Sequence, residues 1–269
     1  MAQLLLRGEL LGDFDGVLFD KDGTLSHSEP RLLEQGHSRI QAAVNCFLEE
    51  RKASNEGGEV QMQALRDLLF QAYGLSPSGV SPEGLLAVAS RQHNLVATAT
   101  VFSLVGLSWP KALLLAERSF KNAAQTRRRT GHRAGTEEPP SPLLPAARTA
   151  LEQLHQLGVT CAVISNDTRE GIKGFLRSHQ LDDCMADIWS ADDQPSKPDP
   201  DAVHQLCQRL GIPPQRCVLI GDADSDLLMA RQAGIGLTLG YVAGWSSSPN
   251  LTEHERLISH WEDLEVVAS

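Results

Sequence analysis

The chain has 269 residues, with 24 Lys and Arg against 34 Asp and Glu, a formal charge of -10. That length holds one core domain and a smaller second one, and the acidic balance argues against an overall basic surface for nucleic acid. Apolar residues make up 41%, ordinary for a soluble globular protein, and no stretch approaches the roughly 18 apolar residues needed to span a bilayer.

The five cysteines, Cys46, Cys161, Cys184, Cys207 and Cys217, are scattered and form no CxxC pair. Reduced thiols in a cytoplasmic protein are expected, rather than a disulfide framework or a zinc site. The opening MAQLLLRGELLGDFDG carries one brief apolar run and is not read as a secretory leader.

The first strong signal is Gly16-Val17-Leu18-Phe19 running into Asp20-Lys21-Asp22-Gly23-Thr24, a buried strand that ends in a polar turn. Helical spacing then predicts helices over about 31–52, 61–73, 82–92 and 109–124, with a weaker one at 97–105. Strand alternation is absent from this stretch. Residues 126–142, TRRRTGHRAGTEEPPSP, are read as a mobile connection. Pro145 is placed in the first turn of the next helix, which carries Leu151, Leu154 and Leu157 on one face and ends at Gly158.

A strand–helix rhythm follows. Strands are expected at 159–164, 188–189, 217–220 and 236–239. Helices are expected at 169–178, from Pro200 to about Leu210 with Asp199 as its cap, and at 227–233. Such alternation implies a parallel sheet covered by helices on both faces. The core is therefore split, with residues 1–27 and 143–269 on either side of a helical insertion at 28–142. The insertion leaves just after Asp20 and Asp22, at the carboxyl end of a strand, where ligands bind in open α/β sheets. A helical insertion there would act as a lid.

Four polar sets come at or soon after expected strand ends: Asp20 with Asp22, Ser165 with Asn166, Lys197, and Asp222 with Asp226. In a parallel sheet those ends share one edge. A carboxylate such as Asp20 can attack phosphorus and form an aspartyl-phosphate, and Asp22 can protonate the leaving oxygen and then activate water. Alone, the pair can also be a strand-to-turn signal with solvated acids. Ser165-Asn166 can form an anion site before a helix or simply cap that helix. Lys197, between Ser196 and Pro198, can neutralise phosphoryl charge or lie exposed in a loop. Asp20, the Asp22 carbonyl and Asp222 suit Mg²⁺, which takes a few protein oxygens and keeps several waters. A calcium loop would need a later glutamate that Gly221-Asp222-Ala223-Asp224-Ser225-Asp226 lacks. Asp226 can also cap the helix that follows.

The DxDGT of Asp20–Thr24, the strand-end Ser165, Lys197 and the GDxxxD of Gly221–Asp226, in this order, resemble the haloacid dehalogenase superfamily of phosphohydrolases, in its helical-cap branch of phosphoglycolate and sugar-phosphate phosphatases. The resemblance implies a Rossmann-like α/β core with an inserted all-helical cap. It implies Asp20 as nucleophile, Asp22 as acid and base, and Lys197 as the stabilising cation. Thr24, Ser165 and Asn166 are implied as phosphate or orienting contacts. Asp20, Asp22, Asp222 and Asp226 are implied as the surroundings of Mg²⁺, with Asp226 direct or water-mediated. The dehalogenases lack the second acid, so Asp22 favours phosphate-ester hydrolysis, and a sugar-phosphate mutase and a non-catalytic binding protein are the rivals. Lys21 stands where an apolar residue is commoner, and strand alternation points it away from the site.

The expected partner is a small phosphorylated metabolite met by a monomer or homodimer, with no nucleic acid and no membrane. His27-Ser28-Glu29 is read as a hinge and helix cap, and the basic run from Lys121 to Arg133 as a solvated loop.

Overall fold

The computed structural model describes residues 2–53, 59–133 and 140–268. Three strands open the chain: β1 (Ala2–Leu6), β2 (Glu9–Phe14) and β3 (Gly16–Phe19). β1 and β2 pair antiparallel through the two-residue loop Arg7-Gly8, whose φ values of 52° and 79° are both positive. That turn matches the twist of paired strands. The hairpin is missing from the sequence reading because Arg-Gly is not a usual turn signal, and because most of β2 is exposed or half-buried.

The chain divides into two compact units, Met1–Ser28 with Pro140–Ser269, and Glu29–Pro139. The second contains α1 (Glu29–Ala53), α2 (Glu59–Ala72), β4 (Leu75–Ser76), β5 (Gly79–Val80), α3 (Leu85–Val88), α4 (Arg91–Leu104) and α5 (Trp109–Arg133). Its core joins Ile40, Val44 and Phe47 to Leu65, Leu69, Phe102 and Leu115, which recur at helical spacing. Three expectations change here. The unit is not all helical, since β4 and β5 form a short antiparallel ladder, and buried Glu29 accepts the Val80 amide at 3.0 Å. The helix expected over 82–92 is broken: Ser90 is extended and caps α4 by accepting from the His93 amide at 3.3 Å. Residues 126–133, read as part of a connection, continue α5. Residues 134–139 lie outside the described residues.

The first unit resumes with α6 (Ala147–Gln156), β6 (Thr160–Ile164), α7 (Arg169–Ser178), β7 (Asp187–Trp189), α8 (Pro200–Leu210), β8 (Cys217–Gly221), α9 (Asp224–Gln232), β9 (Leu237–Tyr241), β10 (Arg256–Ile258) and β11 (Leu264–Ala268). Pro145 sits in the turn before α6 rather than in its first turn, with Ala146 as the cap at φ 60°. α9 starts at Asp224 rather than Leu227. Asp199 caps α8 as expected, accepting the Asp201 amide at 2.9 Å with Pro200 in the first turn.

Six strands form one sheet in the order β10-β9-β8-β3-β6-β7, all pairs parallel. A separate antiparallel sheet has the order β11-β1-β2. The apolar runs are explained by burial on both faces. Val17, Phe19, Val163 and Ile220 face one core with α6 and α7. Leu18, Ala162, Ile164 and Leu219 face the other with α8 and α9. β3 lies between β6 and β8, and the strand order reverses direction beside it. This is the switch point where open α/β sheets leave a crevice.

Trp261 seals this end of the core. It stacks on Tyr241 with ring centroids 5.0 Å apart, lies 5.8 Å from Phe19, and donates its indole N–H to the Thr24 carbonyl at 3.0 Å. Trp261→Ala should cost about 3–5 kcal/mol of stability in urea denaturation, from lost burial and the cavity left behind.

Candidate active site

The register of the sheet sets the site. Phe19 pairs with Val163 on one side and Ile220 on the other, so Asp20, Ser165 and Asp222 emerge from neighbouring strands at one edge. The Asp20 amide donates to the Ile220 carbonyl at 2.9 Å, which carries the ladder one residue past β3. Lys197, between β7 and α8, reaches the same point. Its ammonium donates to Asp20 Oδ1 at 2.7 Å, Asp226 Oδ2 at 2.8 Å and the Ile164 carbonyl at 3.2 Å. The exposed-loop alternative for Lys197 fails, since only 4% of it is exposed.

Asp20, Asp222 and Asp226 each offer an oxygen, and these oxygens lie within 4.8 Å of one another. Burial, opposed by Lys197 and reinforced by the charges of Asp226 and Asp22, holds the Asp20 carboxyl up at about 6. Burial, followed by the charges of Asp20 and Asp226, holds Asp222 well above the usual carboxylate range. Burial disfavours the Lys197 ammonium, but the two carboxylates outweigh it and its pKa is raised. The site therefore carries more negative charge than one ammonium compensates. Hard oxygen donors in this arrangement fit a small divalent cation such as Mg²⁺.

Asp222 is held by residues outside the expected set. Thr24, fully buried, donates its hydroxyl to Asp222 Oδ1 at 2.9 Å. Its side chain thus orients an acid, the second of the two roles expected for it. Trp245 donates its indole N–H to Asp222 Oδ2 at 2.6 Å. Gly23, at φ 81°, is required here, because a Cβ would collide with Asp222 Oδ2 and Trp245 Nε1. A Cβ on Gly244 would collide with the Gly23 backbone, so two glycines let the loop after β9 close on the turn after β3. Trp245 was missed in the sequence, although it follows a strand end on the same edge, the feature that singled out the other residues.

Asp22 stands apart from the three-acid group. Its carboxylate is 24% exposed and pairs with Lys21 at 2.5 Å. Ser28 donates its hydroxyl to the same Oδ1. Two expectations are corrected here. Lys21 does not point away: it is 3% exposed, bridges Asp22 and Asp167 (3.2 Å), and lies 5.7 Å from the Phe175 ring centre. A buried ammonium needs acids more than it obeys strand alternation. Ser28 touches the acid as well as leading into α1. Burial works against the charge of Lys21, yet Asp22 and Asp167 outweigh it and raise its pKa.

Ser165 is buried, and its hydroxyl accepts the Asp167 amide at 3.2 Å. Asn166 is half-buried beside it, before α7, which Thr168 caps. His27 donates its amide to the Pro142 carbonyl at 2.8 Å, and Ser26 bridges Leu143. The departing and returning chains are thus tied together next to the site.

The haloacid dehalogenase-like hydrolase family profile matches residues 14–234. The chain belongs to the haloacid dehalogenase-like hydrolases. It is similar to a phosphoglycolate phosphatase of Vibrio vulnificus (strain CMCP6), 34% identical over 119 residues, 43% of this chain and 50% of the relative. A phosphoglycolate phosphatase of Yersinia pestis is 28% identical over 255 residues, 93% of this chain and 90% of the relative. The chain spans about half the length of the first curated relatives it matches. Among solved structures, a predicted phosphoglycolate phosphatase from Haemophilus somnus 129pt shares the fold at TM-score 0.62 and 18% identity, covering 94% of this chain and 97% of that one. A second, from Lactobacillus plantarum, has TM-score 0.56 at 18% identity, covering 94% and 98%.

Removing the buried cation beside Asp22 leaves two acids facing each other. Lys21→Met should destabilise the protein by about 2 kcal/mol in urea denaturation. Arg177→Met, which breaks the exposed pair with Glu170, should change stability by about 0.5 kcal/mol or less.

Proposed function

We infer that this chain is a Mg²⁺-dependent phosphatase that hydrolyses a small phosphate monoester through an aspartyl-phosphate on Asp20. The observation that carries the reading is the buried Asp20–Lys197 contact at 2.7 Å, with a second carboxyl two residues along the same turn. A dry carboxylate aimed from a strand end and balanced by a fixed ammonium is a nucleophile whose charge is tolerated but weakly solvated. The curated relatives from Vibrio and Yersinia are phosphoglycolate phosphatases, which supports 2-phosphoglycolate as the substrate to test first.

In this reading a carboxylate oxygen of Asp20 bonds to phosphorus as the ester oxygen departs. Asp22 gives that oxygen its proton, so the alcohol leaves neutral. Asp22, now ionised, takes a proton from water, whose oxygen attacks the acyl phosphate, releasing phosphate and restoring Asp20. Lys197 offsets charge on Asp20 and on the phosphoryl oxygens throughout. Ser165 and Asn166, at the entry to α7, offer donors to the phosphate. Asp20, Asp222 and the Asp22 carbonyl, with Asp226 nearby, would hold Mg²⁺, which would supply positive charge to the phosphoryl group when bound. Thr24 and Trp245 keep Asp222 oriented for that task.

Asp20→Asn should lower kcat on p-nitrophenyl phosphate by about 10⁴-fold or more. Wild-type rates in that variant would mean Asp20 is not the nucleophile. Asp22→Asn should lower kcat on 2-phosphoglycolate by about 10²–10⁴-fold, and less on the aryl ester, whose leaving group needs little protonation. Isomerised phosphosugar with little free phosphate would point to a mutase instead.

Because the acids repel one another without a cation, Mg²⁺ should raise the melting temperature of chelator-treated protein. At a hundred times its dissociation constant the gain is about 2.7 kcal/mol. Asp222→Asn should abolish the rise in differential scanning calorimetry.

A further inference from the structure

The helical unit holds a second concentration of charge, of the opposite sign. A cavity of about 320 Å³ is lined by Gln35 and Arg39 of α1, Arg91 of α4, and Phe120, Lys121 and Arg127 of α5. Its volume falls at the lower end for small-molecule sites. Arg39 is only 9% exposed. Its guanidinium donates to the neutral Asn94 Oδ1 at 3.2 Å and lies 4.4 Å from the Phe120 ring centre. Arg91 lies 5.3 Å from the same ring. Among the described residues, no carboxylate forms an ion pair with Arg39, Arg91 or Lys121.

That arrangement is costly as it stands. An arginine cannot shed its charge in a protein, so burying one without an acid must be offset in another way. Contact with an aromatic face offsets only part of the penalty for a buried ion. Burial above all, opposed by Tyr73 and helped by the charges of Arg91 and Arg127, lowers the Arg39 pKa to about 10. In a chain of net charge -10, Arg39, Arg91 and Lys121 gathered at one cavity form a local positive field. Forked guanidinium donors match phosphate oxygens in pairs.

We propose that this cavity binds a small phosphate dianion, free or as the phosphate group of a metabolite, held by Arg39 and Arg91 with Lys121 at its rim. All of the named lining residues belong to the helical unit, and none of them is used in the hydrolysis proposed at Asp20. The sequence singles out the same basic run, but reads it as a solvated loop. In the structure Phe120 and Lys121 stand on a helix, facing Arg39 and Arg91.

The test is isothermal titration of the full chain, kept free of divalent metal, with inorganic phosphate and separately with glucose 6-phosphate, at ionic strength held constant with chloride. One saturable site is expected. Arg39→Gln and Arg91→Gln should each weaken it by about tenfold or more, as lost charge-assisted hydrogen bonds do. Lys121→Gln, an exposed change that spares the fold, should weaken it severalfold. In chloride alone, Arg39→Gln and Arg91→Gln should melt no lower than wild type, because each relieves uncompensated charge; a purely structural role would lower both. Equal affinities for the two probes mean that the free oxyanion is sufficient, and tighter binding of the sugar phosphate assigns the remaining cavity to the rest of a metabolite. The proposal is overturned if no saturable heat exceeds the chloride control. It is equally overturned if the three variants bind like wild type while Ser165→Ala loses binding, which would place the phosphate in the core.

Discussion

Three carboxylates gathered within 4.8 Å in a dry site would repel one another apart if nothing positive stood among them. Lys197 stands there, joined to Asp20 and Asp226 and to the carbonyl that ends β6. Much of the core geometry can be read as service to that contact. The parallel sheet brings β3, β6 and β8 to one edge. The segment between β7 and α8 turns the lysine inward. Trp245 and Thr24 hold the remaining acid, Asp222, facing the same point. A buried ion pair of this kind is weak evidence for stability, and its value lies in fixing charged groups where water cannot reorganise around them.

The site was legible in the sequence to the extent that its residues follow strand ends. Asp20, Ser165 and Asp222 directly follow β3, β6 and β8, with Lys197 after β7 and Asp226 in the first turn of α9, because apolar runs buried on both faces announce parallel strands. Departures occur where a side chain answers to tertiary partners. Lys21 was assigned an outward direction by alternation, yet Asp22 and Asp167 draw it in. Thr24 could be read as a phosphate or an orienting contact, and Asp222 takes its hydroxyl. No local pattern encodes either choice, since each depends on a group far along the chain or across the turn.

The fold shows the same division. α7 and α8 lie at their expected positions because capping residues and prolines mark their ends. The opening hairpin went unseen because its turn residues carry no strong signal and its outer strand is half wet. The helix sought over 82–92 fails at Ser90, whose hydroxyl satisfies the His93 amide better as a cap than it would inside a helix. The run after Lys121 looks like a loop by composition, yet α5 continues through it. Its arginines have good intrinsic helix propensity.

The central position of β3 has a consequence for how the molecule is made. Its two sheet neighbours, β6 and β8, begin at Thr160 and Cys217, so β3 leaves the ribosome long before either partner exists. Until then both of its edges are open templates for pairing with other chains. The helical unit, by contrast, is one contiguous segment from Glu29 to Pro139, rich in the nearby contacts that form fastest. The first strand synthesised in the six-stranded sheet therefore waits for strands made much later. The core closes around Asp20 only after most of the chain has emerged.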